Sequence, residues 1–240
     1  IGLVQNERNA VLEADAAHRR AIALNPHNPV VHANYARFLL DHDQIAAAGR
    51  SIAAAEAIDR RSQVVLAAKG RYLLRLGRTA EGEEALLQSS AMNPTYADGL
   101  IGKAIAAYQQ GAGEEAGQAL DNADRFDPSN PSIALIRSGI AIDEYRAGDA
   151  IAFAREALRR RQARGGHYSG YDANRQVSSY LGEALENLEL DEWAQYYSDK
   201  AYDPFRATTY LDESAAGRET PFFAFNPRMP ADERYERGSS

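Results

Sequence analysis

Cysteine is absent from the sequence, which excludes disulfides, thiolate metal sites and a cysteine nucleophile. Positive charge is in short supply. With 27 basic and 34 acidic side chains the net charge is -7, and such a field repels phosphate backbones, so nucleic acid is not an expected partner. Long apolar runs are missing too: none approaches the roughly 20 residues that cross a bilayer, so no membrane span is expected in this segment. No basic, apolar-cored leader precedes Ile1, and a chain that opens on Ile rather than Met is expected to have lost its true start. Cytoplasm and periplasm are both compatible with this composition, and oligomeric state is not readable from it.

What is present is globular material, 45% apolar and 25% charged, ample for a sizeable core. It is also periodic. Asn25-Pro26, Asn93-Pro94 and Asp127-Pro128 close similar apolar stretches, and Asp59-Arg60 fills the gap between the first two, so Asn25, Asp59, Asn93 and Asp127 recur every 34 residues. The same interval aligns Ala14, Ala48, Gly82, Ala116 and Ala150, and a second column of Ala21, Ala55, Ser89, Ala123 and Ala157. Every member is small. Between the marks lie two helical patterns per period, with apolar residues three and four apart, as in Val64 to Leu76 and Ala80 to Met92. Gly77 and Gly111 fall where the first helix of a pair should end, because glycine takes the left-handed cap conformation without a clash. Each period thus reads as helix, tight turn, helix, closed by Asn-Pro or Asp-Pro. Small residues at fixed sites of the second helix let helices approach closely, and hairpins that cannot bury both apolar faces alone must stack.

These residues resemble the tetratricopeptide-repeat family. Ala48-x3-Ile52 with Ala55, Gly82-x3-Leu86 with Pro94, and Ala116-x3-Leu120 with Ala123 and Pro128 carry the second-helix half of its motif, while Lys69-Gly70-x2-Leu73 carries part of the first. The family's aromatic opening position reads His32, Leu66, Leu100 and Ala134, and Arg60 replaces one closing proline. The resemblance implies an all-α, right-handed superhelical solenoid of antiparallel helix hairpins, with about five to six repeats, a C-terminal helix and an extended tail. The expected units are a partial repeat over 1–28, full repeats over 29–62, 63–96, 97–130 and 131–164, and a late one over 175–204. A glycine- and tyrosine-rich insertion, Gly165 to Asn174, precedes the last, with Asp172 as a helix cap. A capping helix is expected over 205–216 and an extended tail or linker over 217–240, where Phe222, Phe223 and Phe225 are expected to pack on an apolar surface.

Candidate chemistry is sparse. Gly111, Gly113 and Gly117 approximate a dinucleotide fingerprint with the wrong final spacing and no preceding strand. Gly99, Gly102 and Lys103 lack the spacing of a phosphate loop, and Ser169 lacks that of a nucleophile elbow. His18, His27, His32 and His42 crowd the N-terminal quarter without the spacing of a zinc motif, and His18 and His32 fall on family packing positions. Glu83-Glu84 and Glu114-Glu115 sit early in second helices, where carboxylates suit the helix dipole. No enzyme activity, cofactor or metal is expected.

By the resemblance, the exposed flank of the first helices lines a concave groove. Helical stepping along it gives Arg37, Leu40 and Asp41, then Arg71, Leu74 and Arg75, then Ile101, Ile105 and Tyr108, then Leu135 and Ile142, then Glu183 and Glu186. The partner-binding candidates are Arg37, Arg71, Arg75, Ile101, Ile105, Tyr108, Leu135, Ile142 and Glu183, a groove that runs basic, apolar, acidic. Repeats of this family that clamp a chaperone carboxyl terminus need Lys and Arg where Val64 and Ala68 stand here, so only Asn34 matches that use. The expected function is a scaffold that holds a protein or peptide in the groove; the alternative is the periplasmic assembly arm of a larger bacterial secretion or exopolysaccharide-export protein.

Overall fold

The structure is a computed structural model that describes residues 11–164 and 175–199. Among these residues there are eleven α-helices and no strand: α1 (Val11–Leu24), α2 (Pro29–Asp41), α3 (Ile45–Ile58), α4 (Gln63–Arg75), α5 (Thr79–Met92), α6 (Ala97–Gln109), α7 (Gly113–Phe126), α8 (Pro131–Asp143), α9 (Ala147–Ala163), α10 (Arg175–Glu186) and α11 (Asp191–Asp199). The insertion over 165–174 with Asp172, the first ten residues, the capping helix and the aromatic tail all lie outside the described residues.

Each hairpin turn is built the same way. At the end of the first helix one residue takes positive φ, and the amide after it donates back to a carbonyl in the last turn, as in Arg78 N to Leu73 O at 2.9 Å and Arg146 N to Ala141 O at 2.8 Å. Gly77 and Gly111 fill this position in two repeats, and Asp43, Tyr145 and Glu189 fill it in the others with φ of 60°, 57° and 57°. Left-handed backbone is strained in residues that carry a Cβ. Tyr145 is exposed and no packing is lost with its ring, so Tyr145→Gly is expected to raise stability by about 0.5–1 kcal/mol, the strain relieved less the extra entropy of glycine. Scanning calorimetry checks this; a lower melting temperature contradicts it.

Helix starts are less uniform. Asn28 and Asn130 cap α2 and α8 by accepting from Val30 N (2.9 Å) and Ser132 N (3.0 Å), each with proline next in line, whereas Ser62 and Tyr96 cap without a side-chain bond. At the other end, Asp59, Asn93 and Asp127 drop into extended or otherwise non-helical backbone one residue after α3, α5 and α7 finish.

The small-residue columns sit at the crossings. Ala14, Ala48, Gly82, Ala116 and Ala150 are buried, as are Ala55, Ser89, Ala123 and Ala157, while Ala21 is half-buried. A facing column on the first helices, Ala36, Gly70, Ala104, Ser138 and Gly182, is also small and buried. In the second full hairpin a Cβ on Gly70 would lie 3.0 Å from the Gly82 carbonyl oxygen, and one on Gly82 would lie 3.1 Å from that of Gly70. The two backbones therefore touch where larger residues would hold them apart. Ser89 and Ser138 fit because their hydroxyls donate to Gln63 O and Ala150 O, both at 2.8 Å.

Successive first helices contact one another, α2 with α4, α4 with α6, α6 with α8 and α8 with α10, and no two second helices match this among the described residues. A stack whose members are closer along one row curves toward that row. First helices therefore line the inner face and second helices the outer one. Where α7 meets α8 and α9, ions supplement packing: Asp124 accepts from Arg137 (3.0 Å) and Arg160 (2.6 Å), and Arg164 reaches Asp127 (2.6 Å).

Candidate functional site

The inner face is assembled from equivalent positions of successive first helices, so Arg37, Arg71 and Ile105 occupy one repeat position and Leu40, Leu74, Tyr108 and Ile142 another. The structure ties the three cations to carboxylates. Arg37 pairs with Asp98 at 2.7 Å, two repeats along the array. Arg71 pairs with Asp41 at 2.8 Å, and Arg75 pairs with Asp43 while also reaching the Leu40 carbonyl. Arg71 and Arg75 are buried. Burial pulls the Arg75 guanidinium down from its ordinary value, against the upward pull of Asp43. Beside Arg37 and Asp98, burial pushes the Tyr96 phenol up to about 12. The N-terminal half of this face is thus an interlocked set of ion pairs, where the sequence suggests bare positive charge.

The apolar candidates differ from expectation in exposure. Ile101, Ile105, Tyr108, Leu135 and Ile142 are buried and belong to the main core cluster, with Leu74 and Tyr180 among its members. Their first helices approach closely enough for these side chains to join that cluster. Glu183 is half-buried and Glu186 exposed, so the far end keeps acidic character.

Asp43, Tyr96 and Asp98 belong to this site and escaped the helical stepping. Asp43 lies in a turn, Tyr96 precedes α6, and Asp98 sits in its first turn. Arithmetic alone places Asp43 level with Gly77 and Gly111.

His18 and His42 pack against aromatic rings. His18 is 4% exposed, with its ring 5.7 Å from that of Tyr35 and 5.3 Å from that of Phe38, and His42 lies 4.7 Å from Phe38. Burial pulls His18 down to about 4, which keeps it neutral at pH 7. Gly111 is the turn residue after α6 and Gly113 the first residue of α7. Among the described residues no three His, Asp or Glu side chains gather as metal ligands, and no helix is long and apolar enough to cross a membrane.

These features define a class: a solenoid of stacked two-helix repeats with a charged and apolar inner face. No protein-family model matches the sequence, and no curated protein does. Among solved structures, PilW, a widely conserved type IV pilus biogenesis factor, is similar with 18% identity and a TM-score of 0.51 over 89% of this chain and 98% of that one. A chain of the APC/C hetero-tetramer Cut9-Hcn1 is similar with 14% identity and a TM-score of 0.53 over 99% of this chain and 54% of that one, so this chain spans about half the length of that chain. Pseudomonas aeruginosa PilF shares 20% identity at a TM-score of 0.45, over 89% of this chain and 93% of that one. At these identities the likeness is one of fold, and the fold is that of the tetratricopeptide-repeat proteins.

Proposed function

We propose that the chain is a protein-interaction scaffold with no chemistry of its own, which binds a peptide or protein segment along its inner face. The observation that carries this reading is the continuous row of first helices, in which one repeat position changes from cationic (Arg37, Arg71) through apolar (Ile105) to acidic (Glu183). Arginine supplies much of the energy at interfaces, and graded charge sets the orientation of a bound segment. A partner bringing a carboxylate to the N-terminal half exchanges with Asp98 for the Arg37 guanidinium, while the shielded pairs of Arg71 and Arg75 stay intact. Arg37, about a fifth exposed, is the first it meets.

Photo-crosslinking separates the two faces. A crosslinking residue is placed at Asn34 or Glu186 on first helices and at Glu84 or Glu115 on exposed second-helix positions, in cells of the source organism. Covalent capture of one discrete protein from Asn34 and Glu186, with none from Glu84 and Glu115, is the expected result. Capture from the outer positions alone, or equally from both faces, contradicts inner-face binding.

A further inference from the structure

The curvature that draws first helices together spreads the second helices, and between α1 and α3 this opens a cleft of about 340 Å³ floored by α2. Leu39, Ala47 and Ala54 make an apolar bed, the rings of His32 and Tyr35 form part of the wall, and Arg19, Arg50 and Ser51 complete the lining. Two of the wall groups are held in place. The His32 ring nitrogen Nε2 lies 2.9 Å from Pro26 O, and the Tyr35 hydroxyl donates to Asp15 Oδ1 at 2.8 Å.

Charge in the cleft does not cancel. Asp15 is engaged by Tyr35 and by Arg19 Nε at 2.9 Å, while exposed Arg50 has no carboxylate partner among the described residues. One net positive charge therefore stands over an apolar floor, on a chain whose overall charge is -7. The other gaps lack this feature. One period on, the positions of Arg19 and Arg50 hold Ala53 and Glu84, and a further period on, Leu87 and Gln118. The cationic pair is a property of the first gap and not of the repeat.

We propose that this cleft is a second recognition site, on the outer face, that takes an acidic residue flanked by aliphatic residues from a protein partner. A single carboxylate matches one unbalanced guanidinium, and the neighbouring aliphatic groups cover Leu39, Ala47 and Ala54. A dianionic phosphate would leave charge unmatched on an apolar bed. The site is independent of inner-face binding, since none of its lining residues is among the inner-face candidates.

The test is an NMR titration of the isotope-labelled full chain with two capped tripeptides, acetyl-Leu-Glu-Leu-amide and acetyl-Leu-Gln-Leu-amide. The Glu peptide is expected to shift amide signals of α1 to α3 and to bind about fivefold more tightly than the Gln peptide, the preference expected of a partly exposed charge pair. Arg50→Glu, at an exposed position without an ion pair, is expected to keep the wild-type melting temperature and lose that preference. Equal affinity for the two peptides, an undiminished preference in Arg50→Glu, or the same shifts with inorganic phosphate alone overturns the proposal. Shifts confined to α4, α6 and α8 also overturn it while leaving the inner-face reading intact.

Discussion

Leu86→Ala lowers the unfolding free energy by about 2–5 kcal/mol, and adding Gly102→Ala restores part of the loss. Leu86 on α5 is fully buried and wedges between glycines on two first helices. A Cβ on Gly70 of α4 would lie 2.5 Å from Leu86 Cγ, and one on Gly102 of α6 would overlap Leu86 Cδ2. Truncation leaves a cavity bordered by two helix backbones that cannot collapse into it, so the loss belongs in the upper part of the range. Gly102→Ala alone overpacks this joint and costs about 1–3 kcal/mol. Its closest contacts are all to Leu86, so once that side chain is shortened the added methyl has room and the helix gains alanine's better propensity, about 1 kcal/mol. The substitution changes sign with its background, and a double-mutant cycle from urea unfolding reads the coupling directly. Gly70→Ala is the control, because its Cβ also meets the Gly82 carbonyl at 3.0 Å. That backbone contact persists when Leu86 is truncated, so rescue is incomplete. Equal rescue by both substitutions would contradict the packing described.

The same joint marks how far the sequence alone could be read. The period, the hairpin unit and the small column through Gly82 and Ala116 are legible because each repeats at a fixed interval and has one physical reason, close helix approach. Gly77 and Gly111 announce their turns by residue type. Asp43, Tyr145 and Glu189 adopt the same backbone with no glycine to signal it, so only their register identifies them. The inner-face residues were harder still. Helical stepping assigns Ile105 and Tyr108 to one flank of α6, but whether such a side chain is exposed depends on how closely neighbouring repeats approach. That distance is set by the partner residues of the next helix, as with Gly102 and Leu86, and is not a property of the helix that bears the side chain. The cleft beside Arg50 has a similar origin, since a gap between α1 and α3 follows from the curvature of the stack.

Arg75→Met is expected to destabilise the chain by about 3–5 kcal/mol, and Arg75→Met combined with Asp43→Gly to recover most of it. Arg75 and Asp43 form a pair in which both side chains are almost wholly shielded, at 7% and 12% exposure. Removing only the cation leaves a carboxylate in a poorly hydrated turn and forfeits the contact with the Leu40 carbonyl at 3.4 Å. An unpaired buried charge is far more costly than a missing pair. In the double variant both charges of the pair are removed together, Met keeps most of the arginine's apolar stem, and glycine relieves the left-handed strain at position 43, where φ is 60°. Asp43→Gly alone takes a carboxylate away from the Arg75 guanidinium, so it destabilises despite the relieved strain, by less than Arg75→Met because the guanidinium keeps the Leu40 carbonyl and a long side chain can shift its head toward water. Urea unfolding of the three variants checks this order. Independent, additive losses would mean that the pair is not coupled. The outcome also decides how the inner face can be probed: if Arg75 anchors the turn between α2 and α3, a binding defect in an Arg75 variant reports misfolding, and Arg37, partly exposed and paired across repeats with Asp98, becomes the cation whose replacement measures recognition.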